Sequence, residues 1–193
     1  MTRYMTRYSG NRGLWLSLLA AILISAVYAF VVYWTRAIPP AGALFGHLLG
    51  IVGFILMLMT EILYSIRKRS RSARWGSMAS WLQFHIFTGL VGPYMVLLHS
   101  SWKFNGLAGA TTLLTILIVV SGFIGRYIYT QIPRTLEGVE IDTPAGQSQA
   151  WGLARARRML ATWHIIHIPI GMVLFTAAFI HIGAALYYAT LLK

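Results

Sequence analysis

WLQFHIFTGLVGPYMVLLHS, residues 81–100, and ATWHIIHIPIGMVLFTAAFIHIGAALYYATLL, residues 161–192, decide how this chain is read. Each is an apolar run long enough to cross a bilayer as a helix, which takes about 20 residues. Each also carries two histidines fourteen residues apart, His85 with His99 and His167 with His181. Fourteen helical residues turn through about 1400°, close to four full turns, so both members of a pair share one face about 21 Å apart.

Working outward, three further apolar runs cover residues 14–34, 43–66 and 107–129. The expected fold is therefore all-α: an integral membrane bundle of five transmembrane helices in a single domain, residues 1–193, with one sizeable loop at 131–160. Composition agrees, since 58% of the residues are hydrophobic and only 10% are charged, which is far from a soluble globular domain. The basic leader, in which MTRY occurs at 1–4 and again at 5–8, precedes an apolar run too long for a cleaved signal peptide, so the first helix is expected to be retained. There is no cysteine. Disulfides, thiolate catalysis, iron–sulfur clusters and cysteine-attached haem are thereby excluded.

The net charge of +12 is distributed as topology. Five spans put Arg3, Arg7, Arg12, Arg67, Lys68, Arg69, Arg71, Arg74, Arg126, Arg134, Arg155, Arg157 and Arg158 on one side and only Arg36, Lys103 and Lys193 on the other. The positive-inside rule makes the first side, and the N-terminus, cytoplasmic. Trp34, Trp102, Tyr187 and Tyr188 then mark the outer interface, and Trp75, Trp81, Tyr127, Tyr129 and Trp163 the inner one. The basic excess reads as lipid contact, with no nucleic-acid partner. The expected location is a bacterial cytoplasmic (inner) membrane, multi-pass.

Histidine inside a membrane is costly unless it binds or pairs, and neutral imidazole is a good iron ligand. The third and fifth spans run in the same direction, which levels His85 with His167 and His99 with His181. The expectation is two haem b, the inner iron held by His85 and His167 and the outer by His99 and His181. Gly89 and Gly171 each follow an inner ligand by four residues, leaving the ligand face without a side chain one turn on; close helix packing is the alternative reading. His164 offers a second ligand choice on the fifth helix, a contact to a haem propionate, or plain interfacial solvation. Arg126 offers a propionate partner or an ordinary snorkelling arginine. His47 reads as packing or a propionate contact. Glu61, the only carboxylate within a span, pairs with the basic cluster near Arg67 or takes up protons beside a quinol pocket.

With those residues in view, the segment 46–181 resembles the ferric reductase-like transmembrane domain shared with NADPH oxidases, and more broadly di-haem cytochrome b membrane subunits. The resemblance implies electrons passing across the bilayer between two b haems. It departs in one respect: no G-x-G-x-x-G dinucleotide fingerprint occurs in the 193 residues. Donor and acceptor are then expected to be other subunits of a redox complex or small molecules, quinone among them. The function expected is a non-catalytic electron-transfer subunit of a membrane oxidoreductase complex; the alternative is a self-contained reductase of an external acceptor such as ferric iron. In the 131–160 loop, residues 150–160 read as a basic amphipathic helix on the inner surface, a lipid anchor or a docking surface for a redox partner.

Overall fold

A computed structural model describes residues 11–69, 76–130 and 144–191. Within them the chain forms five helices: α1 (Arg12–Thr35), α2 (Leu44–Arg69), α3 (Met78–His99), α4 (Gly106–Thr130) and α5 (Pro144–Leu191). No strand occurs among the described residues. All five helices are long and apolar enough to cross a membrane, as the hydropathy requires. The protein is an all-α, multi-pass membrane protein whose helices contact lipid.

Three boundaries differ from the sequence reading for local reasons. Ser77 caps α3, its Oγ accepting from the Ser80 backbone N–H at 3.1 Å, so the helix begins three residues ahead of the apolar run. α1 ends at Thr35 and is capped by Arg36, which adopts a left-handed φ of 55°, just before the helix-breaking pair Pro39–Pro40. The fifth helix changes most. Residues 150–160 form no separate surface helix but are continuous with the span that follows, because strong helix formers (Ala, Leu, Arg and Met) dominate the stretch and outweigh the single Gly152. Pro93 and Pro169 lie within α3 and α5 without ending them. The acidic residues Glu137, Glu140 and Asp142 and the basic residues Arg3, Arg7, Arg71, Arg74, Arg134 and Lys193 lie outside the described residues.

The helices fall into two units, Met1–Phe104 with α1 to α3 and Asn105–Lys193 with α4 and α5. Both are built inside out relative to a soluble protein. Ser17, Thr60, Thr88, Thr111, Thr112, Thr115 and Ser121 are buried, while Trp34 is 76% exposed and Leu44 79%. In water such an apolar surface would drive aggregation. In lipid it is the solvated face, and helices associate instead by close packing of small residues and by interhelical hydrogen bonds.

The first unit follows that rule. Gly53 of α2 meets Gly92 of α3 so closely that a Cβ on either would stand 2.8 Å from the other's carbonyl oxygen. One turn and more along, Thr60 Oγ1 donates to Thr88 Oγ1 at 2.7 Å, and Thr88 donates onward to the Phe84 carbonyl at 2.9 Å. α1 is tied to α3 at its start and its middle: the Gly13 N–H donates to Gln83 Oε1 at 2.7 Å, and Ser25 Oγ is hydrogen-bonded to the Tyr94 hydroxyl. In the second unit the notch is Gly125 of α4, which receives the indole of Trp163.

Candidate functional site

His85 and His99 belong to the first unit, His164, His167 and His181 to the second. His47 is exposed and the other five histidines are half-buried.

Around His99 the α2 backbone comes close because Gly50 has no side chain; a Cβ there would lie 2.9 Å from the imidazole. His99 Nδ1 donates to the Gly46 carbonyl at 2.8 Å, and the His47 ring stands edge-on to it with centroids 6.4 Å apart. That interaction fixes the tautomer and orientation of the ring.

His85 has a different environment. Its ring lies 4.7 Å from that of Tyr64 on α2, and the imidazole is in hydrogen-bonding contact with the Thr60 backbone. Its Nδ1 is buried and has no hydrogen-bond partner. Gly89, one turn on, faces Thr60, whose Cγ2 would lie 3.4 Å from an added Cβ. Burying a polar group without a partner has a cost; among the described residues two buried side-chain polar atoms stand in that state, His85 Nδ1 and the Tyr28 hydroxyl on α1.

In the second unit Ser121 organises the site. Trp163 Nε1 donates to the Ser121 carbonyl at 2.7 Å and lies 3.2 Å from its Oγ. His167 Nδ1 is hydrogen-bonded to the same Oγ at 3.0 Å, and the His167 and Trp163 rings stack at 4.6 Å. Trp163, expected at the inner interface, is turned onto α4. His164 Nδ1 donates to the Leu160 carbonyl of its own helix at 2.8 Å, the local alternative to an interhelical or ligand role. Gly171 is buried near Ile118, whose Cδ1 would be 3.9 Å from a Cβ. His181 is half-buried on α5, Arg126 is half-buried one turn from the end of α4, and Glu61 is exposed on α2.

The expectation of two haem b, one on each histidine pair, is overturned. Among the described residues no group of three or more His, Cys, Asp or Glu side chains gathers that could hold a metal ion, and no histidine is fully buried. Fourteen-residue spacing sets azimuth on one helix but not where each ring turns. Here His99 is held by Gly46, His164 by Leu160 and His167 by Ser121 and Trp163.

Sequence reasoning missed Thr60, Tyr64, Thr88, Ser121 and Gly125. Each pair that matters sits at helical spacing: Thr60 with Tyr64, Ser121 with Gly125, Trp163 with His167, all four residues apart. The usable signal was small or polar residues recurring on one face of an otherwise apolar helix. No protein-family model, no curated protein and no solved structure matches this chain.

Proposed function

We propose that the protein is an electron-transfer subunit of a bacterial cytoplasmic-membrane oxidoreductase complex, exchanging electrons with the quinone pool on behalf of partner subunits. The observation that carries the reading is the buried, unpartnered Nδ1 of His85 beside the Tyr64 ring. A quinone carbonyl accepts a hydrogen bond from a protonated ring nitrogen, and a quinol hydroxyl donates to an unprotonated one. The same atom therefore satisfies both redox states. Tyr64 offers a flat aromatic wall for the quinone ring, and an ionisable residue inside a span is by default a functional candidate. Oxidising one quinol releases two electrons and two protons; in this reading both electrons pass to one-electron redox centres of a partner subunit, His85 takes the first proton and releases it to water at the membrane surface, and the second proton leaves by the same route. Quinone is itself the carrier.

The test is the quinone content of the purified chain, followed by binding from vesicles that contain quinone. About one quinone per chain is expected in the wild type. His85→Phe should abolish binding, and His85→Asn, whose amide reaches near the Nδ1 position, should retain part of it. No quinone bound by the folded wild type, or undiminished binding by His85→Phe, overturns the proposal.

A further inference from the structure

The second unit carries an open groove of about 520 Å³ between α4 and α5. Its walls are Val120 and Ile124 from α4 and Ile166 and Ile170 from α5, and at one end stand Arg155 and Arg158. A second depression of about 400 Å³ shares both arginines and adds Trp151 and Gly152.

We infer that this groove binds one anionic phospholipid, its phosphate on Arg155 and Arg158 and an acyl chain along the α4–α5 crease. Three features choose that occupant. Arg155 and Arg158 are three residues apart and so neighbours on one helix face, close enough to share one phosphate, for which the guanidinium fork is suited. Beyond them the lining is apolar apart from Ser121, Thr162 and the indole of Trp163, and Ser121 and Trp163 already hydrogen-bond to each other. The twelve residues from Arg158 to Ile170 rise about 18 Å, close to the ~15 Å of hydrocarbon in one leaflet. Charge is thus placed at headgroup level and grease at chain level. The 400 Å³ depression beside Trp151 receives the rest of the headgroup, at the depth where tryptophan is favoured. Basic pockets between transmembrane helices select anionic lipid in this way. The inference uses none of the residues around His85 and stands or falls apart from the quinone reading.

The test is native mass spectrometry of the full chain in detergent, titrated with phosphatidylglycerol or phosphatidylcholine. One phosphatidylglycerol should be retained per chain at concentrations where phosphatidylcholine is lost. The double variant R155Q/R158Q should weaken that binding on the order of tenfold. Arg157→Gln, on the same turn but outside the groove, should leave it unchanged. Ile166→Trp should block binding with both arginines intact, because it fills the chain-binding crease. Inorganic phosphate at millimolar concentration should not displace the lipid. Equal retention of the two lipids, binding indifferent to R155Q/R158Q or to Ile166→Trp, or displacement by phosphate alone overturns the inference.

Discussion

Replacing Gly125 by alanine puts a methyl group where the six-membered ring of Trp163 now lies, against Cε2, Cζ2 and Cδ2. The indole is not a flexible chain end. It is pinned by the hydrogen bond from Nε1 to the Ser121 carbonyl at 2.7 Å and by its stack on His167. Either α4 and α5 separate or the indole leaves the notch. Overpacking of a close-packed contact costs about 1–3 kcal/mol, and loss of the indole hydrogen bond adds about 1 kcal/mol. Against this stands the gain of about 1 kcal/mol for alanine over glycine within a helix. The expected net destabilisation is about 1–3 kcal/mol, read as a shift in SDS-induced unfolding of the protein in mixed micelles. The decisive measurement is the double-mutant cycle. In a Trp163→Leu background the obstructing ring is gone, so Gly125→Ala should become neutral or stabilising, with a coupling of at least about 1 kcal/mol. The ¹⁵N resonance of His167 Nδ1 should also move in Gly125→Ala, because Ser121 and Trp163 are its neighbours. Additive effects within about 0.5 kcal/mol would refute the notch.

Four more substitutions probe the first unit. Gly53→Ala or Gly92→Ala forces a Cβ to within 2.8 Å of a backbone oxygen across the α2–α3 contact and should destabilise by about 1–3 kcal/mol in the same unfolding assay, whereas Gly42→Ala, with nothing within 4 Å of its Cβ, should have little effect. Thr88→Val removes the buried acceptor of Thr60 Oγ1 and should cost about 0.6 kcal/mol, with about 1.7 kcal/mol as the ceiling for such bonds in membrane helices; a neutral result would mean that Thr60 relies on its bond to the Leu56 carbonyl alone.

The five helices were legible because bilayer thickness imposes a length and lipid imposes a hydropathy, and both are properties of the sequence read locally. The start of α3 was legible only to a reader who took Ser77 as a cap. The true start of α5 was hidden because its early turns are basic and polar enough to resemble a loop, although 150–160 holds no proline and its one glycine, Gly152, is outweighed by good helix formers. The candidate site was less legible. Identical fourteen-residue spacing in two spans suggested that the rings act as pairs, yet ring orientation is decided by neighbours on other helices. Gly50 admits His99 to the Gly46 carbonyl, and Ser121 fixes His167 and Trp163 together. Such partners are single small or polar residues that carry no periodic signal of their own.

Lipid as solvent gives those residues their meaning. A leucine on α1 gains nothing by facing another helix, because acyl chains are as apolar as it is. Burial therefore brings glycine, serine and threonine inward alongside a few apolar side chains such as Leu174 and Val91, and a histidine that joins them gains a hydrogen bond by doing so. His99, His164 and His167 each make one through Nδ1. His85 sits beside Tyr64 and the Thr60 backbone, and its Nδ1 makes no such bond. In a solvent that offers no hydrogen bonds, an atom left in that state is open to a ligand drawn from the membrane, which is the reading proposed for His85. A lipid-soluble molecule with a carbonyl that becomes a hydroxyl on reduction meets that requirement in both of its states, and for this reason His85, rather than the more regular histidine spacing, carries the functional reading.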